Sequence, residues 1–294
     1  MNTVIRFAPE LSSWVQHNLD QGASAAALVQ AMREQQMEEY AARVIVDAFI
    51  DARRHGRPLP VDSVVVDETP QYEYGTPILR PGTAIQTSDR LVRIAARAER
   101  PMLAVLNDVI SADECAQLIA LAKPRLKPST VVDPATGRDV VTGTRSSYGM
   151  FFRLQENALV ARLDLRISEV MNLPLENGEG LQILYYPAGA QSTPHYDFLV
   201  PSNAANQASL ARSGQRVSTM VAYLNDVEAG GATIFPQAGW AVSPQCGNAV
   251  YFEYCNQHNQ LDHASLHASA PIERGEKWVA TKWMRQRRFI SAGG

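Results

Sequence analysis

Apolar residues recur at helical spacing through the first fifty residues and then at strand spacing in the second half of the chain. Leu11, Trp14, Val15 and Leu19 fall on one helical face before Gly22 breaks the run. Ser24 can cap a second helix through Leu28, Val29 and Met32. A third stripe, Met37, Tyr40, Ala41, Val44, Ile45, Ala48, Phe49 and Ala52, stops at His55-Gly56, where glycine can end a helix. The opposite face is charged, with Glu38, Glu39, Arg43, Asp47 and Asp51. Residues 1–56 are therefore expected to form a small N-terminal helical module, whose stripe packs it together or docks a partner or a dimer mate. His17 and His55 read as surface residues of that module.

Residues 57–100 carry Pro58, Pro60, Pro70, Pro77 and Pro81 around the run Val64-Val65-Val66, and read as a Pro-rich linker that can supply one edge strand. From residue 101 the pattern is richer. Met102 to Leu106 reads as a strand, and Ser111 with Glu114 forms a capping box ahead of Leu118, Ile119 and Leu121. Asp133 to Arg138 has turn chemistry, Thr144 to Phe151 begins an extended piece, and Leu159, Leu163, Ile167 and Val170 define a helix from about Glu156 to Met171. Short strands then follow one another: Leu181–Tyr186, Gln215–Leu224, Ala232–Phe235, Trp240–Val242, Ala249–Tyr254, Ala264–Ala268 and Trp278–Met284. Helices followed by many closely spaced strands predict an α+β domain, with helices packed on a double-sheet roll.

Composition narrows the classes. The chain has 294 residues, 46% hydrophobic, enough for a sizeable core. A formal net charge of -3 and the lack of basic runs argue against a nucleic-acid partner. No membrane span or leader pattern is visible, so a cytoplasmic location is expected. Cys115, Cys246 and Cys255 lack CxxC spacing and read as small hydrophobes.

The chemistry concentrates in Tyr186 to Asp197. His195 and Asp197 lie two apart, so on an extended strand both project from one face and can grip one metal ion. The third ligand has three candidates, His258, His263 and His267; His267 is preferred, because Lys277 follows ten residues later after a turn and can reach the same pocket. Two imidazoles and a carboxylate leave open positions on a metal, as in non-haem Fe(II) oxygenases. Such an iron can take a 2-oxoacid whose far carboxylate needs a cation, with Lys277 the cation and the hydroxyls of Tyr186 and Thr233 adding hydrogen bonds. A zinc hydrolase would need a general base beside the metal, and no HExxH motif is present. A metal-free binding protein leaves Lys277 unexplained.

Leu181-Gln182, Tyr186-x-x-Gly189-x-Gln191, His195-Tyr196-Asp197, Gly214-Gln215-Arg216, Tyr223 to Glu228 with Gly230-Gly231, Thr233 and Phe235-Pro236, and Leu266-His267 with Gly275 to Trp283 resemble the catalytic domain of the prolyl 4-hydroxylases. The resemblance spans about residues 101–287 and extends upstream through Ser111-x-x-Glu114-Cys115 and Arg145-Ser146-Ser147. It implies a double-stranded β-helix (jelly-roll) core with supporting helices. It also implies Fe(II), 2-oxoglutarate as co-substrate, O₂, and ascorbate as reductant. The activity implied is hydroxylation of prolyl residues in a peptide or protein, with release of succinate and CO₂; hydroxylation of a free amino acid or another small molecule is the alternative. By resemblance, His195, Asp197 and His267 hold iron. Lys277, Tyr186 and Thr233 hold the far carboxylate, Trp283 lines that pocket, and Arg145, Ser147 and Arg216 face the substrate. One position departs from the family: Ser192 stands where a tyrosine three residues before the first histidine helps to hold substrate.

Overall fold

The computed structural model describes residues 3–54, 56–66, 72–129, 131–132, 139–140 and 147–291, and the chain divides into two units, Met1–Gln71 and Tyr72–Gly294. In the first unit, helices span Pro9–Asp20, Ala25–Glu34 and Glu39–Arg54. Ser24 caps the second by accepting a hydrogen bond from the Ala27 amide, and Gly22 and Gly56 take positive φ where the first and third helices end. Ala42, Ile45, Val46 and Phe49 of the third helix are buried with Val15, Leu28 and Met32, so the apolar stripe is the core of this unit. Tyr40, counted in that stripe, is exposed. The valine run does form a strand, Ser63–Val66, and its antiparallel partner is Thr3–Arg6 at the start of the chain. A four-residue strand is too short to display a period, which hid Thr3–Arg6 in the sequence.

The second unit is built on two antiparallel sheets. The larger runs, in spatial order, Ala84–Gln86, Leu91–Glu99, Met102–Asn107, Ala249–Glu253, Arg216–Tyr223, Lys277–Arg285, Leu181–Tyr186, Tyr148–Phe152 and Lys127–Pro128. The smaller runs Ser192–His195, His267–Ser269, Thr233–Phe235 and Trp240–Val242. Side chains of both sheets line one cavity, the arrangement of a double-stranded β-helix. The first two strands come from the stretch expected as a linker. Beyond Pro81 the prolines cease and Leu91 to Glu99 can pair along its length, so residues 84–99 extend the sheet and the division of the chain falls earlier, after Gln71.

Helices support the large sheet. Ala112–Ala122 begins in the expected capping box, with Ser111 and Glu114 exchanging side-chain and backbone bonds. Ala158–Met171 is capped by Asn157 and buries Leu159, Leu163, Ile167 and Val170. Lys277–Arg285 is buried on both faces: Lys277, Val279, Thr281 and Trp283 line the cavity, while Lys282 points the other way and bonds Asp164 of this helix at 2.8 Å. A helix at Ala204–Ser213 has no counterpart in the sequence reading. Its only buried residue is Ser213, so no apolar stripe announces it.

Candidate metal centre and active site

Strand pairing builds the centre. His195 ends the strand Ser192–His195 and lies in register opposite His267, the first residue of His267–Ser269, so the two imidazoles come from neighbouring strands with ring centroids 4.4 Å apart. Asp197 follows two residues after His195. Its carboxylate lies 3.9 Å from His195 Nε2 and 3.7 Å from His267 Nε2, and one ligand atom from each residue falls within 4.8 Å of the others. His258 and His263 are elsewhere: His258 is 3.8 Å from Glu73, and His263 packs edge-on against Tyr196 and Phe198.

The surroundings fix how these groups present themselves. His195 Nδ1 is 2.8 Å from the Thr193 carbonyl and His267 Nδ1 is 3.1 Å from that of Ser265. A carbonyl accepts only, so each ring donates from Nδ1 and turns Nε2 toward the common point. The Thr219 hydroxyl donates to Asp197 Oδ2 at 2.7 Å. Burial pushes the Asp197 carboxyl up, but His267, His195 and Arg216, with the Thr219 bond, outweigh it and bring it down to about 2. A buried carboxylate and two oriented imidazoles suit Fe(II) and leave positions for further ligands.

Lys277 lies at one end of the same cavity. It is buried, and its ammonium donates to the Gly231 carbonyl at 2.6 Å and the Ser269 hydroxyl at 2.9 Å. Among the described residues it has no carboxylate partner, and burial lowers it to about 7. The Tyr186 and Tyr223 rings face it at 5.6 and 5.7 Å, and Tyr223 donates to the Thr233 hydroxyl at 2.9 Å. A buried cation without a counter-charge, ringed by hydroxyls, fits the carboxylate of a small dianion.

The structure separates the remaining predicted residues. Trp283 and Ser192 line the cavity. Arg216 lies over the Trp283 ring, 4.1 Å from its centroid, but its fork is engaged: Nε and Nη2 donate to Glu179 at 2.7 and 2.9 Å, and Nη1 to the Asp197 carbonyl at 3.2 Å. Ser147 is buried with its hydroxyl donating to that of Ser129, and it is not among the residues that line the cavity. Arg145 lies outside the described residues. Thr219, Glu179 and Ser269 were missed. Isolated polar residues on apolar strands are read as ordinary strand positions, and only the fold shows that they back the ligands.

Comparison with known proteins agrees with this chemistry. The family described as "2OG-Fe(II) oxygenase superfamily" matches residues 181–285. Probable prolyl 4-hydroxylase 3 of Arabidopsis thaliana is 37% identical over 203 residues, covering 63% of this chain and 69% of that protein. Prolyl 4-hydroxylase 1 of the same plant is 40% identical over 202 residues, covering 64% and 70%. Among solved structures, the viral collagen prolyl hydroxylase of Paramecium Bursaria Chlorella virus-1 aligns with a TM-score of 0.49 at 24% identity, covering 62% of this chain and 95% of that one. The chain belongs to the prolyl 4-hydroxylase family of 2-oxoglutarate- and Fe(II)-dependent oxygenases.

Proposed function

We propose that this protein hydroxylates prolyl residues of a peptide or protein, with His195, Asp197 and His267 holding iron and Lys277 holding the far carboxylate of 2-oxoglutarate. The observation that carries the reading is Lys277, a buried ammonium without an acidic partner among the described residues, in the cavity that also contains the two histidines and the aspartate. When bound, iron and 2-oxoglutarate supply the activation of O₂ and the oxidising power, with succinate and CO₂ as products. Lys277, Tyr186 and Thr233 orient the co-substrate and, with the apolar Leu184 and Val279, keep water from that end of the cavity. The Thr193 and Ser265 carbonyls orient the His195 and His267 rings through Nδ1, and Thr219 holds Asp197 in place. Arg216 locks the Asp197 backbone and the plane of Trp283, which makes it a positioning residue. Ascorbate would restore iron oxidised in turnovers without substrate.

Ser192 leaves the cavity open where a tyrosine would close it over a prolyl peptide. If a peptide is the substrate, Ser192→Tyr preserves or improves its stimulation of succinate formation, because an aromatic anchor adds apolar contact at small entropic cost. The metal assignment is tested without oxygen. Fe(II) with 2-oxoglutarate should give the weak visible charge-transfer band of a chelated 2-oxoacid; His267→Ala should abolish it and His263→Ala should not. A band that survives in His267→Ala would move the third ligand elsewhere.

A further inference from the structure

The three cysteines are free thiols, and two of them meet. Cys115 lies one turn into the helix Ala112–Ala122, and Cys246 in the turn between the strands Trp240–Val242 and Ala249–Glu253. These two segments are pressed together around Gly247. Its carbonyl accepts from the Val109 and Ile110 amides at 2.9 and 3.1 Å, and its amide donates to the Tyr223 carbonyl at 2.9 Å. A Cβ at Gly247 would lie 2.3 Å from the Ile110 carbonyl oxygen, so the approach, at φ 84°, requires glycine. The end of the strand Arg216–Tyr223 then places both sulfurs: Cys115 Sγ is 3.9 Å from the Tyr223 carbonyl, and Cys246 Sγ is 3.5 Å from that of Leu224, the next residue. The thiols are in hydrogen-bonding contact with each other. Their surroundings differ. Cys115 is 1% exposed, and burial, with Cys246 beside it, pushes its thiol up to about 12 against the opposing Gly247 amide. Cys246 is half-buried and reaches solvent. Cys255 stands apart, its sulfur on the Gln286 amide and the Asn256 carbonyl. A thiol open to solvent with a sealed thiol behind it supplies the attacking and the resolving half of a disulfide.

We propose that Cys115 and Cys246 are a redox modification site, forming a reversible disulfide that clamps the helix to the turn, with a low-molecular-weight disulfide of the glutathione class as oxidant. The Cys246 thiolate attacks one sulfur of that disulfide, breaks its S–S bond and forms a mixed disulfide, releasing one small thiolate. The Cys115 thiolate then attacks the Cys246 sulfur, breaks the mixed bond and releases the second. The two cysteine protons pass to the two released thiolates, so the pair loses two electrons and two protons and the small disulfide gains them. The new bond lies directly behind Tyr223, whose hydroxyl holds Thr233 and whose ring faces Lys277. It also closes a long loop in the unfolded chain, so the oxidised protein unfolds at higher temperature.

The test incubates the full-length protein in buffers of reduced and oxidised glutathione, blocks remaining thiols with an alkylating agent under denaturing conditions, and follows intact mass, digest peptides and thermal melts. With oxidised glutathione in excess, the protein should lose the mass of two hydrogen atoms and yield a peptide linking Cys115 to Cys246, while Cys255 is still alkylated. The melting temperature should rise by roughly 5–10 °C. Reduced glutathione should reverse all three changes. Cys246→Ser should abolish the linked peptide and the melting shift, and Cys255→Ser should leave both in place. In the wild type alone, a lasting glutathione adduct on Cys246 without the linked peptide overturns the proposal, as does a link through Cys255 or between two chains, or full alkylation of Cys115 and Cys246. A linked protein that melts no higher than the reduced one overturns the clamp.

Discussion

At the residue scale, Lys277 combines a cost in stability with a role in binding. Its ammonium is held near 7, against about 10.4 for an unperturbed lysine, because it is buried, with the neutral rings of Tyr186 and Tyr223 facing it and no carboxylate among the described residues. The unfolded chain therefore binds the extra proton between these values. Stability contributed at this site rises with pH across that window, and the penalty is full below about pH 7. Lys277→Met should accordingly stabilise the ligand-free protein at pH 6, by on the order of 1 kcal/mol, and the gain should vanish by about pH 10. The same substitution should remove 2-oxoglutarate binding, and wild-type affinity should fall as pH rises above 7 because the dianion needs the protonated amine. Thermal melts of the two proteins across pH, with and without 2-oxoglutarate, check this; a Met variant less stable at pH 6 would mean that the Gly231 and Ser269 bonds outweigh the charge. The sequence showed Lys277 through its spacing from His267. It could not show Thr219, because nothing in a strand's pattern says which polar side chain lies beside a metal.

At the scale of elements, Glu179, just ahead of the strand Leu181–Tyr186, ties together the strands Arg216–Tyr223 and Lys277–Arg285. Its carboxylate accepts from Arg216 at 2.7 and 2.9 Å and from Arg285 at 3.0 Å, and Arg285 also bonds the Gly214 carbonyl. Burial pushes the Glu179 carboxyl up, yet Arg216 and Arg285 overcome it and hold it below the ordinary carboxylate range. Because the folded value is the lower one, this stability is present above about pH 4.3 and is lost as pH falls through the folded value. Glu179→Gln should cost about 3 to 5 kcal/mol near neutral pH by leaving two buried guanidinium groups uncompensated. It should also flatten the acid limb of stability against pH. Denaturant melts measure both, and a loss under 1 kcal/mol would show that solvent reaches the pair. The main helices and strands were legible in the sequence, because Ser111 with Glu114 caps one helix and Leu159, Leu163, Ile167 and Val170 stripe the next. The Ala204–Ser213 helix and the strands at Ala84–Gln86 and Leu91–Glu99 were not, since the first lacks a stripe and the others lay behind a proline-rich run.

At the scale of the molecule, every residue proposed to hold the metal and the co-substrate lies in Tyr72–Gly294, and the first unit carries its own small core. A chain starting at Tyr72 should therefore keep the visible band with Fe(II) and 2-oxoglutarate and lose only what the N-terminal unit adds; a truncated protein that folds but gives no band would assign that unit a part in the site. The central claim, oxidation of a prolyl residue coupled to breakdown of 2-oxoglutarate, is tested most directly by mass spectrometry. A peptide alternating proline with alanine is incubated with the enzyme, Fe(II), 2-oxoglutarate and isotopically heavy O₂, and succinate is measured in the same reaction. The account predicts one heavy oxygen on a prolyl ring carbon for each succinate formed, and none in His267→Ala. Succinate formed with the peptide unchanged, or oxygen placed on a residue other than proline, would contradict it.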